Sequence, residues 1–231
     1  MKVAQVGSLG GDRSNGVHQV VRALVQGLPE AGVDVEVWHL TRSVRRVTWA
    51  AEEGVSVWRI PVLAAGGGLG GHLQMPTPEG IAWLRRRALQ TDVAHLHSVF
   101  QPDHLWTSHL EVPFILTPDG GYHPLVLAGA AAVRKRLWLI MHDRRMLARA
   151  AVVQALSAAE AECIRGLQPL ARTVVLEAPL SHELATRQPY TAAGPLVFLG
   201  RLDIEHKGLD LLVEALACVD ARQLARGVLL V

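Results

Sequence analysis

The sequence predicts an α/β fold in which a mostly parallel β-sheet is flanked by helices. Two observations carry this prediction. The chain opens with a strand-like run, a glycine-bearing loop, an amphipathic helical run and a second strand-like run, all within residues 2–40. Short β-branched runs then keep alternating with helical segments along most of the 231 residues. Half of the residues are apolar, which is enough for a sizeable core.

The first four elements form one β–α–β unit. Residues 2–6 (KVAQV) are short, β-branched and followed by glycine, which predicts a strand. A turn-rich loop, 7–16, leads into a helix that Asn15 or Ser14 can cap. Helical spacing is shown by Val17, Val20, Val21, Leu24, Val25 and Leu28. Residues 33–40 predict the second strand, so the two strands are expected to be parallel.

The same alternation continues down the chain. Residues 80–90 predict a helix, and residues 130–167 predict a helix-rich stretch with a strand-like break at 151–157. Further strands are predicted at 55–62, 92–99, 113–117 and 173–179.

The domain organisation is predicted from a change in composition. Residues 1–181 are expected to form one domain, and the polar, proline- and glycine-bearing residues 182–194 a linker. Residues 195–231 would begin a second domain, with a strand, a helix over Leu209–Val219 and the first half of another strand. A complete second domain needs roughly 120–150 more residues, so we expect it to be incomplete in this chain.

Charge and cysteine content limit the function classes. The formal net charge is only +2, which gives no reason to expect a nucleic-acid partner. Cys163 and Cys218 have no motif around them, so a reducing cytoplasm is expected rather than a disulfide framework. The apolar run at the N-terminus is short for a signal peptide, and no window of about 18 uncharged apolar residues predicts a membrane span.

The loop at residues 7–16 lies where doubly wound folds place an anion-binding turn, between a strand and a helix. Gly7, Gly10 and Gly11 do not follow the G-x-G-x-x-G spacing, and the G-K-[ST] of a phosphate-binding NTPase loop is absent. A plain turn explains these glycines equally well.

Two further segments end predicted strands. His95 and His97 share one face of a strand, but no third ligand at a telling spacing supports a metal site. His97 lies nearer the carboxyl end and is expected to face substrate, whereas His95 is more simply a packed, hydrogen-bonded histidine. The loop 117–124 offers Asp119, Tyr122 and His123, either to a substrate or only to solvent.

Cations suggest two more surfaces. Six basic residues between Arg134 and Arg149 make a helical region that is either a solvated face or a contact with an anionic membrane. Arg201 and Lys207 lie between a strand and a helix. A lysine at a helix N-terminus is unfavourable unless an anion binds there, which indicates phosphate. The alternative is that Arg201 and Lys207 are simply two cations at the surface.

The segment GRLDIEHKGLDLLVEA, residues 200–215, closely resembles the signature of nucleotide-sugar glycosyltransferases of family 4, which have the GT-B fold. Other landmarks of that family appear in order. They are the glycine loop and helix of GSLGGDRSNGVHQVVRAL, the strand of DVAHLHSVF, the loop of PFILTPDGGYHP, and the strand and helix of AVVQALSAAEAECIRGL. The resemblance covers nearly the whole chain.

The resemblance implies two Rossmann-like domains, with the N-terminal one binding the acceptor and the C-terminal one the nucleotide-sugar donor. Gly16, Arg201 and Lys207 would bind the donor diphosphate. Asp119 and His123 would be the catalytic residues, and the acceptor would contact Gly10, Gly11, His97 and Tyr122. Such enzymes retain the anomeric configuration and use no metal or other cofactor. The acceptor is left open among a glycan, a lipid and a small molecule.

Three departures qualify these implications. Asp119 replaces the family's usual histidine, so either Asp119 acts as an acid or His123 substitutes. Residues 177–179 (EAP) replace the usual Asn-Gly, and the family's second acidic signature is absent from the 231 residues. We therefore expect a glycosyltransferase fragment with little or no activity alone. The alternative is a non-catalytic acceptor-binding or interaction module that forms a homodimer. The expected location is cytoplasmic, with peripheral contact at the inner face of the membrane through residues 134–149.

Overall fold

A computed structural model describes residues 1–10, 15–63, 73–129, 131–179, 196–198, 204–219 and 228–230. The chain divides into two compact units, Met1–His182 and Glu183–Val231. The predicted α/β fold is confirmed in the first unit, where eight strands form one mostly parallel sheet. The predicted linker, 182–194, lies outside the described residues, so the predicted domain limits stay a prediction.

The sheet of the first unit has the strand order β3-β4-β2-β1-β5-β6-β7-β8. All neighbouring strands are parallel except β3 and β4. Its strands are β1 (Lys2–Val6), β2 (Asp34–Thr41), β3 (Thr48–Glu52), β4 (Val55–Pro61), β5 (Val93–His97), β6 (Phe114–Thr117), β7 (Val152–Ala155) and β8 (Thr173–Val175). The antiparallel edge strand β3 is an element that the sequence did not predict.

Several helices of the first unit begin at a side-chain cap. Asn15 accepts a hydrogen bond from Val17 N at 3.0 Å, which confirms Asn15 as a cap. Thr77 and Ser157 cap two others in the same way. The helices of the first unit are α1 (Gly16–Gly27), α2 (Pro78–Ala88), α3 (His104–Thr107), α4 (Pro124–Ala128), α5 (Ala132–Trp138), α6 (Arg144–Arg149) and α7 (Ala158–Leu167), with a π-helical turn at Leu139–Asp143 and a 3₁₀ turn at Pro29–Ala31.

Apolar side chains cover both faces of the sheet. In β2, Val35 and Val37 belong to the core cluster that includes Val21 and Val25 of α1. Side chains on the other face join a larger cluster, which contains Trp38, Leu84 of α2 and Ile164 of α7. Because side chains alternate along a strand, β2 contributes to both layers, as expected for helices packed on both faces.

One carboxylate lies inside this frame. Glu36 of β2 has a side chain only 2% exposed, and it forms an ion pair with Arg87 of α2. Trp38 Nε1 also donates to Glu36 Oε1 at 2.7 Å. This ion pair fastens α2 to the centre of the sheet.

The second unit contains β9 (Leu196–Phe198), α8 (Ile204–Lys207), α9 (Leu209–Ala217) and β10 (Val228–Leu230). Its two strands are parallel. Across the part of the chain that the structure describes, no helix combines the length and the apolar character needed to cross a membrane.

Candidate functional site

A cleft opens at the carboxyl ends of β1, β2 and β5. The chain leaves β1 towards β2 on one side of the sheet, whereas β5 begins the other half. Loops that diverge at such a reversal of strand order leave a crevice, which is where open α/β sheets bind ligands. The cleft has a volume of about 310 Å³, and its polar lining includes Ser8, Asn15, His18, His39, His97 and Asp103.

The loop after β1 is held in place by its own backbone and by one arginine. Gly7 N donates to Trp38 O at 3.0 Å, and Gly10 N donates to Ser8 Oγ at 3.0 Å. Arg22 of α1 donates through Nη2 to Gly10 O at 2.6 Å and through Nε to Glu53 at 2.8 Å. The turn between β3 and β4 therefore supports the loop that lines the cleft. Gly11 lies outside the described residues.

Gly10 itself has no room for a side chain. Its φ is +57°, in the left-handed region, and an added Cβ would lie 2.1 Å from His18 Nδ1. Gly10→Ala is therefore expected to displace the His18 ring and to lower the free energy of unfolding by about 1–2 kcal/mol.

Thermal unfolding checks this prediction, with Gly27→Ala as the matched control. Nothing lies within 4 Å of a Cβ added at Gly27 of α1. Gly27→Ala is therefore expected to leave stability unchanged or to raise it by roughly 0.5–1 kcal/mol. Equal stability of both variants would contradict the close approach of Gly10 and His18.

Gly16 is the first residue of α1. It is exposed, and among the described residues beyond its chain neighbours no atom lies within 4 Å of a Cβ built on it. Those described residues therefore leave the start of the helix open, although the structure alone gives Gly16 no ligand.

His97 lines the cleft from the end of β5. It is 4% exposed, and its Nε2 lies 2.7 Å from Gln5 Oε1. Because an amide oxygen only accepts, Nε2 carries the hydrogen, and Nδ1 is left as an acceptor without a partner in the described part of the chain. Burial, followed by the charges of His95 and His104, places the pKa of His97 well below its usual value.

His95 packs behind His97. The two ring centroids are 4.1 Å apart, and His95 Nε2 lies 2.8 Å from Thr117 Oγ1. Burial lowers the pKa of His95 to about 4. His95 is thus the packed, hydrogen-bonded histidine that the sequence favoured. Within the described ranges, no three His, Cys, Asp or Glu side chains are grouped closely enough to hold a metal ion.

Asp119 begins the loop after β6 in a constrained conformation. Its φ is +53°, and Ser98, after β5, has a φ of +68°. Ser98 N donates to Asp119 Oδ2 at 2.9 Å, which joins the two loops. Burial and the charge of Glu160 raise the pKa of Asp119 to about 6, although the Ser98 N–H opposes that rise. Left-handed non-glycine residues and a raised carboxyl pKa are both typical of functional sites.

A second, smaller pocket lies beside Asp119. It has a volume of about 270 Å³ and is also lined by His123, Glu160 and Cys163. His123 is exposed and caps α4, because its Nδ1 accepts a hydrogen bond from Leu125 N at 3.3 Å. The structure therefore brings Asp119 and His123, the two predicted catalytic residues, to one pocket.

Glu160 holds the two loops that form this pocket. Gly120 N donates to Glu160 Oε1 at 2.7 Å, and Leu156 N donates to Oε2 at 2.7 Å. In Glu160→Gln one of these N–H groups would face an amide NH₂. We therefore expect the free energy of unfolding to fall by about 1–3 kcal/mol.

Thermal unfolding of Glu160→Gln is compared with Glu162→Gln. Glu162 is exposed on the same helix and has no hydrogen bond or ion pair in the described part of the chain. Only the Glu160 variant should melt at a lower temperature. Equal falls in melting temperature in the two variants would show that the hydrogen bonds from Gly120 N and Leu156 N contribute no stability of their own.

Tyr122 lies inside the domain. It is 1% exposed, and its hydroxyl donates to Asp143 Oδ2 at 3.1 Å. Trp138 Nε1 donates to Asp143 Oδ1 at 2.9 Å. In this structure the buried Tyr122 side chain anchors the loop 117–124 to Asp143. Acceptor contact by Tyr122 stays a prediction.

Lys207 belongs to the second unit. It is exposed and is the last residue of α8. The next residue, Gly208, has a φ of +61° and is the N-cap of α9. The sequence placed Lys207 at the start of the longer helix, and the structure places it one residue before the cap. Arg201 lies outside the described residues.

Reasoning from the sequence did not single out Gln5, Arg22 or Glu160 as site residues. Gln5 is a polar residue inside the otherwise apolar strand β1, which is a usable signal for a buried hydrogen bond. Glu160 follows Ser157 by three residues, the spacing of a helix capping box. Arg22 and its partner Glu53 are 31 residues apart, and no local pattern connects them.

Comparison with known proteins adds a family to this geometry. A family model described as a glycosyl transferase 4-like domain matches residues 15–179. No curated protein sequence matches the chain significantly.

Three solved structures share the fold. Sucrose-phosphate synthase from Thermosynechococcus elongatus is 16% identical with a TM-score of 0.66, covering 95% of this chain and 60% of that one. HepE from Anabaena, in complex with UDP-glucose, is 13% identical with a TM-score of 0.60, covering 100% and 68%. The catalytic domain of starch synthase IV from Arabidopsis thaliana, bound to ADP and acarbose, is 12% identical with a TM-score of 0.55, covering 99% and 68%. The chain thus spans 60–68% of the length of these structures.

Proposed function

The chain belongs to the glycosyl transferase 4-like domain family, and from that premise we propose that it takes part in transferring a sugar from a nucleotide-diphosphate sugar to a glycan, lipid or small-molecule acceptor. The first unit is the acceptor-binding domain. The second unit contains the start of the donor-binding domain. The reaction retains the anomeric configuration and uses neither a metal ion nor another cofactor.

One observation carries the proposal most directly, namely the cleft at the carboxyl ends of β1 and β5 with the Asp119 pocket beside it. Ser98 and Asp119 hold left-handed conformations there and are joined by a hydrogen bond. Maintaining two such conformations costs free energy, which is usual where a loop must present groups to a ligand. The structure of HepE with UDP-glucose supports a nucleotide sugar as the donor.

The acceptor side uses groups that the cleft already presents. His97 contacts the acceptor from the end of β5, where it lines the cleft. We assign acceptor contact to the loop containing Gly10 and Gly11 and also to Tyr122. Asp119, with a pKa of about 6, exchanges a proton or orients a hydroxyl near neutral pH, and His123 assists it.

The donor side uses cations and a helix start in place of a metal. Lys207 and Arg201 neutralise the diphosphate, and we assign Gly16, at the start of α1, to the donor site as well. Lys207 is suited to this role because it is exposed and has no ion pair within the described residues.

Nucleotide binding to the 231-residue chain tests the donor assignment. Calorimetric titration with UDP and GDP is expected to show a weak site for one of them. Lys207→Ala should weaken that site by about tenfold, and Lys207→Arg should restore most of the affinity because the charge returns. The assignment would be contradicted if neither UDP nor GDP bound, or if Lys207→Ala and Lys207→Arg bound the nucleotide with equal affinity.

Transfer by the chain alone is expected to be slow, because the chain spans only 60–68% of the structures that it resembles. The rate of transfer is measured by incubating the chain with UDP- and GDP-sugars and a mixed acceptor pool. Mass spectrometry then detects the glycosylated acceptors. Efficient turnover would contradict this part of the proposal, but not the assignment to a transferase.

Cytoplasmic location with peripheral membrane contact completes the proposal. Arg134, Arg136, Arg144 and Arg145 are exposed. They accompany exposed apolar side chains on the same helical segments, namely Val133, Leu137, Ile140 and Met141. A basic, apolar surface of this kind favours anionic lipid headgroups. Sedimentation with anionic vesicles but not with neutral ones is expected, and sedimentation with neither would contradict the contact.

A further inference from the structure

An apolar groove runs between α2 and a second wall formed by α3 and the residues that follow it. It has two parts with volumes of about 300 and 410 Å³, which share Arg85, His109 and Leu110. Ile81 lines the first part and Leu89 the second. Eight residues of helical rise separate these two positions, so the groove extends about 12 Å along α2. An elongated ligand fits this shape better than a compact one.

The walls of the first part of the groove are apolar, and a hydrogen bond holds one of the side chains that form them. Trp106 Nε1 donates to Leu73 O at 3.1 Å, which holds the indole ring in place. Leu84 is 1% exposed. The remaining apolar lining consists of half-buried side chains, Ile81, Leu105 and Leu110. The first part is therefore lined mostly by apolar groups, which is typical of sites for apolar ligands, whereas the second part combines Leu89 and Leu110 with polar side chains.

A free cation lies midway along this groove. Arg85 is exposed and has no hydrogen bond or ion pair in the described part of the chain, unlike Arg87 two residues away. His109 lies beside it and donates from Nδ1 to Leu105 O at 3.0 Å, so its Nε2 side is open. Glu111 lines the second part, but it makes no ion pair with Arg85. The guanidinium is therefore available to an anionic group.

We propose that this groove binds one single-chain amphiphile with an anionic head group. The hydrocarbon chain lies on the apolar wall between α2 and Trp106, and a phosphate or carboxylate head binds Arg85. A guanidinium offers such a head two parallel hydrogen bonds, which a lone apolar groove could not supply. None of the groove residues lines the cleft at β1 and β5, so the site is independent of the transferase function proposed above.

Calorimetric titration of the 231-residue chain with n-decyl phosphate, kept below its micelle concentration, tests the site. We expect saturable binding of one molecule per chain. Decanol, which has the chain without the charge, should bind at least about fivefold more weakly, and inorganic phosphate should not bind measurably. Unsaturable binding of many molecules per chain would mark general detergent adsorption and overturn the proposal.

Two neighbouring arginines provide the variant and its matched control. Arg85→Met should weaken decyl phosphate at least about fivefold and leave decanol unchanged, because only the head-group contact is lost. Arg86→Met removes an equally exposed charge from the same helix, outside the groove lining, and should leave both affinities unchanged. Equal losses in the two variants would show a general charge effect and overturn the site, as would no loss in either.

Discussion

Replacing Arg87 with methionine is expected to lower the free energy of unfolding by about 3–5 kcal/mol at pH 7, the largest loss of stability that the structure predicts. The reason is that Glu36, the buried partner of Arg87, remains in the variant. Glu36 has a side chain only 2% exposed, and without Arg87 its negative charge would stay buried with only Lys2 and the Trp38 N–H beside it. Removing one member of a buried ion pair costs far more than the pair contributes.

The contacts around Glu36 show how fully its charge depends on this arrangement. Arg87 Nε donates to the two carboxylate oxygens at 2.8 and 3.1 Å, and Lys2 Nζ lies 3.2 Å from Oε2. Burial alone would raise the pKa of Glu36, but hydrogen bonds from Arg87 and Trp38 and the nearby positive charges hold the pKa below its usual value. The Arg87 guanidinium also lies 5.1 Å from the centroid of the Trp58 ring. Lysine could not reproduce this planar, stacked geometry.

Chemical denaturation at pH 7 measures the loss. Arg86→Met is the matched control, because Arg86 is exposed on the same helix and has no partner in the described part of the chain. The double variant Glu36→Gln/Arg87→Met should recover much of the stability, because no buried charge remains. A double variant as unstable as Arg87→Met would show that lost packing, rather than the stranded charge, explains the effect.

The sheet could be predicted from the sequence because each strand is signalled locally. β1, β2, β4 and β5 are short apolar runs that end at turn residues, and their β-branched content is visible without knowledge of their neighbours. β3 was missed because Thr48–Glu52 (TWAAE) has two alanines and a glutamate, which are residues with low strand propensity. Its pairing with β4, with Trp49 opposite Trp58, becomes apparent only once the two segments are brought together.

The site was predictable only in part, for a related physical reason. Sequence position placed His97 and Asp119 at the ends of strands, where ligands bind. Pairing between distant residues has no local signal, so the 51-residue separation of Glu36 and Arg87 could not be inferred. Tyr122 shows the opposite case. Its position in a glycine-bearing loop predicted exposure, whereas the side chain turns inward to Asp143.

Replacing Asp119 with asparagine is expected to stabilise the protein at pH 8. The pKa of Asp119 rises from the ordinary 3.8 to about 6 in the folded chain. At 1.36 kcal/mol per pKa unit this rise corresponds to at most about 3 kcal/mol, and partial solvent access reduces it to about 1–2 kcal/mol. Asparagine carries no charge, yet its Oδ1 can still accept the Ser98 N–H, and it tolerates a φ of +53°.

The sign of the pH dependence follows from which state holds the proton. Between pH 3.8 and about 6, folded Asp119 binds more protons than unfolded Asp119, so the free energy of unfolding falls as pH rises through this window. Above about pH 6 the cost is fully present. The advantage of Asp119→Asn should therefore be largest at pH 7–8, shrink as the pH falls below about 6, and disappear near the ordinary pKa.

Denaturant unfolding at several pH values tests this prediction, with Asp119→Ala as the control. Alanine also removes the charge, but it leaves the Ser98 N–H without its acceptor and is strained at a positive φ. Asp119→Ala should therefore be less stable than Asp119→Asn at every pH. An advantage of asparagine that does not change between pH 4 and pH 8 would rule out the carboxyl charge as its cause. A pH-dependent advantage would show that the chain keeps, beside its cleft, a carboxyl group that weakens the fold at neutral pH, as expected of a residue retained for chemistry rather than stability.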